Sequence, residues 1–96
     1  MQYELAIVMP GATTVAQKKT MQETIEKMVK VNEGKVLNLD DWGKTDLAYE
    51  IDGNEAGYFM IFDLELNEAN AKSLQEKIRL EEGIIRYLFI KKEKAN

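Results

Sequence analysis

A chain of 96 residues with 13 basic and 17 acidic side chains, a net charge of −4 and neither cysteine nor histidine excludes much at once. One domain with a single two-layer core is what this length supports, and the missing residue types remove disulfides, thiolate chemistry, the usual zinc sets and every histidine-dependent triad. Net acidity speaks against a generic nucleic-acid binder, no apolar run approaches the roughly 18 residues of a membrane helix, and the N-terminus opens on a strand pattern rather than a secretory signal, so a cytoplasmic protein without metal or cofactor is expected.

Gln2 to Met9 alternates, with Tyr3, Leu5, Ile7 and Met9 on one face and Glu4, Ala6 and Val8 on the other, the period of a strand. Pro10-Gly11 ends it, and Thr13 or Thr14 supplies a hydroxyl to cap a following helix. Met21, Ile25, Met28 and Val29 mark the apolar face of that helix, which runs to about Asn32, with Gly34 as its stop. A long β region, Lys35 to Ile51, follows, interrupted near Trp42-Gly43, where a glycine in a strand pattern signals a bulge or bend. Asp52 to Gly57 reads as a turn and Tyr58 to Leu66 as a third strand rich in aromatic and branched residues. Asn67 caps a second helix carrying Ala71, Leu74 and Ile78 and ending near Gly83, and Ile84 to Ile90 gives a last strand with a short polar tail from about residue 92.

The order β-α-β-β-α-β predicts an α+β, ferredoxin-like fold: a four-stranded antiparallel sheet with both helices on one face, filling residues 1–96 as a single domain. Such a fold hosts enzymes, metal carriers and RNA binders, so function has to come from particular residues. Charge is polarised along the chain. Nine acids oppose Lys44 alone between Asp40 and Asn70, whereas Arg86, Lys91, Lys92 and Lys94 oppose Glu93 at the C-terminus.

The acidic segment includes two features that suggest chemistry. Asp40-Asp41, like Glu81-Glu82, looks like a carboxylate pair. Neighbours in a strand point to opposite faces, however, so solvated charge is the better account of Asp40-Asp41. Trp42-Gly43 reads first as a packed aromatic beside a bulge and second as a contact residue. Methionines at apolar positions are core filler. The third strand has the aromatic content of an RNA-recognition module but lacks its leading basic residue, and alternation turns about half its side chains toward the helices.

The blocks Tyr3-Glu4-Leu5, Asn32-Glu33-Gly34-Lys35-Val36, Trp42-Gly43-Lys44-Thr45-Asp46-Leu47-Ala48-Tyr49-Glu50-Ile51, Gly57-Tyr58-Phe59 and Leu80-Glu81-Glu82-Gly83-Ile84-Ile85-Arg86-Tyr87 resemble, in order and spacing, the bacterial small-subunit ribosomal protein six family. The resemblance covers nearly the whole chain. It implies a structural, non-enzymatic component of the small ribosomal subunit that binds the central domain of its RNA as a heterodimer with ribosomal protein eighteen. Gln2 and Thr45-Asp46 stand where family members often carry basic residues, which implies weak RNA affinity for the chain alone. Tyr3, Lys44, Arg86, Tyr87, Lys91 and Lys92 are the candidate RNA contacts, because cations beside tyrosines neutralise phosphates and offer a stacking edge. Asp40, Asp41, Trp42, Asp46 and Glu50 are the candidate partner contacts, on a strand expected at a sheet edge. The alternative is an enzyme or ligand-binding dimer on the same fold, such as an acylphosphatase-like hydrolase. The arginine such a hydrolase needs after its first strand is missing from Met9-Pro10-Gly11-Ala12-Thr13.

Overall fold

The computed structural model describes residues 1–51 and 53–92; Asp52 of the expected turn and the tail residues 93–96 lie outside them. Six elements follow in the expected order: β1 (Gln2–Pro10), α1 (Val15–Val31), β2 (Lys35–Ile51), β3 (Asn54–Glu65), α2 (Glu68–Arg79) and β4 (Arg86–Lys92). The strands pair antiparallel in the spatial order β2-β3-β1-β4, which makes β2 and β4 the two edges.

The alternation in β1 becomes burial. Tyr3, Leu5, Ile7 and Met9 sit under the helices with Met60, Phe62 and Leu64 of β3, and Met21, Ile25, Val29, Ala71, Leu74 and Ile78 cover them from α1 and α2. Each fully buried Leu, Ile or Phe contributes about 1.5–3 kcal/mol, so this single layer carries the fold. The opposite face of the sheet has no helix over it, and it leaves Leu88 and Ile90 exposed.

Local chemistry sets the ends. Thr14 caps α1 in a reciprocal box: its Oγ1 accepts from the Gln17 amide at 3.1 Å, and Gln17 Oε1 accepts from the Thr14 amide at 2.9 Å. At the other end the Gly34 amide donates to Val29 O at 2.8 Å and the Glu33 amide to Lys30 O at 3.0 Å. That is a Schellman closure whose left-handed residue is Glu33, at φ 62°, and not the glycine. Gly34 is required for space instead, since a Cβ there would lie 2.9 Å from Glu65 O and from Leu66 Cβ. Asn32 Nδ2 donates to Met28 O, and Asn70 Nδ2 donates to Asn32 O at 3.0 Å, joining the end of α1 to α2.

Three boundaries differ from expectation. Strand β3 begins at Asn54, four residues before Tyr58, because Asn54 to Gly57 pair with β2 although their composition suits a turn. Helix α2 ends at Arg79 with Leu80 as its cap, short of Gly83, and β4 starts at Arg86 rather than Ile84.

Candidate interaction surfaces

Strand β2 is 17 residues long and outruns the sheet: its ladder with β3 continues through Asp46↔Ala56 to Ile51↔Asn54, beyond the Pro10↔Gly57 pair that ends β1. Two register shifts interrupt it before that overhang. Between Val36↔Leu64 and Asn38↔Asp63 the extra residue is Leu37, and between Asp41↔Met60 and Gly43↔Phe59 it is Trp42. A bulge leaves its extra residue without a cross-strand partner, and here both extra residues are large, apolar and exposed, Trp42 at 62%. The bulge is therefore where the sequence put it, while the packed-aromatic reading of Trp42 is corrected. The turn is held by Gly43, at φ 71°, whose amide donates to Asp41 Oδ1 at 2.9 Å.

All five candidate partner contacts lie exposed along this edge. Asp40 aligns with Ile61 on the helix-free face and Asp41 with Met60 on the helix side, so the two carboxylates separate as alternation requires. Asp41 Oδ2 meets Lys18 Nζ of α1 at 2.7 Å. The hydrogen bond from Lys18 holds the Asp41 carboxyl below its ordinary range, against partial burial and with help from the Gly43 amide. Lys18 also lies 5.2 Å from the centre of the Tyr58 ring. No such ion pair involving Asp40, Asp46 or Glu50 occurs among the described residues.

The candidate RNA residues do not form one cluster. Tyr3 is 4% exposed, its ring stacked on Phe89 with centroids 5.1 Å apart, so it braces β1 against β4 from inside the core and is corrected as a contact. Lys44 lies on β2, three strand spacings or about 14 Å from β4. The β4 residues divide by face: Arg86, Leu88, Ile90 and Lys92 on the helix-free side, Tyr87, Phe89 and Lys91 toward the helices. Lys92 Nζ donates to Asp63 Oδ1 at 2.8 Å and stands 3.8 Å from Glu4 Oε2, and the hydrogen bond to Asp63 raises its pKa. Lys91 Nζ meets Glu68 Oε2 at 3.3 Å. Arg86 is exposed and makes no ion pair among the described residues.

Two concavities also lie among the described residues. A cavity of about 370 Å³ at the turn after β1 is lined by Met9, Pro10, Ala12, Thr13, Gln17, Met21 and Gly83. It occupies the place of a phosphate loop but presents no cation, so it lacks the group a hydrolase of acyl phosphates requires. A smaller groove lies between α2 and β4, lined by Lys72, Gln75, Glu76, Arg79 and Tyr87. Sequence reading attended to the apolar stripe of α2 and missed Lys72 and Arg79; their i, i+7 spacing was the available signal. No group of three or more potential metal-ligating side chains occurs among the described residues, and no helix there is long and apolar enough to cross a membrane.

Comparison with known proteins supplies the family. The family model described as Ribosomal protein S6 matches residues 2–91. The chain belongs to the ribosomal protein S6 family. The small ribosomal subunit protein bS6 of Pelagibacter ubique is 33% identical over 98% of this chain and 78% of its own length. That of Corynebacterium glutamicum is 30% identical, covering 97% of this chain and 98% of the relative. Among solved structures, the crystal structure of 30S ribosomal protein S6 from Thermotoga maritima superposes with a TM-score of 0.87 at 20% identity, covering 93% of this chain and 84% of that one. At that identity the structural match supports the ferredoxin-like fold alone. Family membership carries the rest: a structural, non-enzymatic protein of the small ribosomal subunit.

Proposed function

We propose that this S6-family protein acts in the cytoplasmic ribosome by binding the central domain of small-subunit RNA together with ribosomal protein eighteen, its two sheet edges divided between them. The observation that carries the reading is their opposite polarity. Edge β2 presents Asp40, Asp41, Asp46 and Glu50 around the exposed Trp42, a surface that repels phosphates and attracts a basic protein. Its backbone, paired only on the β3 side, is available for strand addition. Edge β4 presents Arg86, Tyr87, Lys91 and Lys92 to RNA.

Alone, the chain binds RNA weakly. Two of the three β4 cations are already shared with Glu68, Asp63 and Glu4, and the net charge of −4 opposes approach. A basic partner over β2 removes the repulsion and adds phosphate contacts of its own, so protein and partner bind the RNA cooperatively. Filter binding to a central-domain RNA fragment, with and without the partner across a salt series, tests this. Tight binding by the isolated chain would overturn it, and so would a partner that adds nothing.

A further inference from the structure

We propose that the groove between α2 and β4 is a phosphate-binding site for RNA, with Lys72 and Arg79 as its cations and Tyr87 as its floor; this rests on the RNA-binding reading above. The groove measures about 160 Å³. Sites for drug-sized molecules run to roughly 300–1,000 Å³, so this one fits a phosphodiester or part of one nucleotide and not a metabolite. Lys72 and Arg79 stand seven residues apart on α2, hence on one side of the helix and about 10.5 Å apart along its axis. Both line the groove, and that separation lets them reach successive phosphates of a strand running along the helix.

Neither cation forms an ion pair among the described residues. The ion pairs take up Lys18, Lys91 and Lys92, and Glu76, which lines the same groove, stands at ion-pair distance from neither Lys72 nor Arg79. Gln75 adds an amide that donates to phosphate oxygens as well as accepting. Tyr87 is half-buried on the core side of β4, so its ring is held rigid while part of it lines the groove. Fixed aromatic surface beside two free cations is the combination that holds a nucleic-acid backbone and stacks a base. Because β4 is an edge, Arg86, next to Tyr87 in the chain and on the other face of the strand, is open to the same RNA. The RNA path therefore runs over α2 and around the edge of β4, and does not cross the uncovered face of the sheet.

The test is RNA binding by the full-length protein paired with ribosomal protein eighteen, comparing wild type with Lys72→Gln/Arg79→Gln over a salt series. A Lys27→Gln/Lys30→Gln variant on α1 serves as a control of equal charge. Two lost phosphate contacts reduce the salt slope by about 1.4 for single-stranded and 1.8 for duplex sites, with roughly tenfold weaker binding at physiological salt. All four side chains are exposed, so circular dichroism and pairing with the partner should be unchanged. An unaltered slope for the groove variant, or an equal loss in the α1 control, would overturn the groove and leave the functional reading standing. Failure of the wild-type pair to bind the RNA at all would overturn both.

Discussion

The two edge strands of this sheet face the same problem, an unpaired ladder open to other chains, and meet it differently. Strand β2 is long, shifted in register three times against β3 and acidic, with Leu37, Trp42 and Tyr49 exposed along it. Strand β4 is seven residues long, runs without a register shift along β1, and is basic. Bulges and like charge keep β2 from pairing with another copy of itself, because two acidic edges repel, yet they leave it attractive to a basic chain. Shortness and side-chain ion pairs do the same work for β4. On the proposed reading, edge protection and partner choice come from the same residues.

The comparison breaks first if charge on β2 is immaterial. Asp40→Lys, Asp41→Lys, Asp46→Lys and Glu50→Lys together should weaken pairing with ribosomal protein eighteen by about 100-fold or more, near 2.7 kcal/mol, and flatten its salt dependence. Arg86→Glu on the other edge should leave that pairing unchanged. Titration calorimetry at two salt concentrations separates them, and equal losses from both edges would remove the division of labour.

Trp42→Ala is the next largest. An exposed aromatic at the centre of an interface is worth roughly 2 kcal/mol to binding, or about 30-fold. Removing it from the free protein should change stability by no more than about 0.5 kcal/mol, since nothing covers it. A melting point several degrees lower with pairing intact would mean that the residue serves the fold.

On β4 the contrast lies between Arg86, which has no ion pair among the described residues, and the committed Lys92. Arg86→Ala should lower the salt slope of RNA binding by roughly 0.7–0.9 and affinity a few-fold. Lys92→Ala should affect RNA less and destabilise the fold more, because it leaves Glu4 and Asp63 facing each other across β1 and β3 without their shared cation. Identical RNA phenotypes for the two would show that the ion pairs open freely on binding.

Period and capping made most of the architecture legible: the β1 alternation, the α1 face, both helix N-caps and the bulge at Gly43 follow from neighbours within eight residues. What escaped was long-range. Lys91 meets Glu68, and Lys92 meets Asp63 and Glu4, only because the sheet brings β4 beside β1 and the start of α2, so a run of cations in the chain becomes one free arginine and two shared lysines. Tyr3 was legible on the apolar face of β1 yet also read as an RNA contact, and its stack on Phe89, 86 residues away in the chain, was not legible. Asn54 to Gly57 have turn composition, and cross-strand pairing with β2 overrode it. The acidic edge was readable because charge density and strand length are local properties.

The smallest effect expected is on stability against pH, and it assigns one end of the titration to each edge. Asp41 on β2 has its pKa lowered from 3.8, chiefly by the hydrogen bond from Lys18. A carboxyl depressed in the folded state stabilises it above the unfolded pKa, and that contribution is lost as pH falls below about 4. Lys92 on β4 has its pKa raised from 10.5, chiefly by its hydrogen bond to Asp63. A raised lysine stabilises the fold below the unfolded pKa, and the contribution disappears as pH climbs past the folded one, above 10.5. Both groups are well exposed, so solvent screening limits the acid contribution to well under 1 kcal/mol. Urea unfolding between pH 2.5 and 7, and again between pH 9 and 11.5, resolves the two limbs. Asp41→Asn should flatten part of the acid limb, and Lys92→Gln part of the alkaline one. If Asp41→Asn left the acid limb as steep as before, the strap between α1 and β2 would contribute nothing in solution. The bulge at Trp42 would then be held by its own backbone and by Gly43 alone.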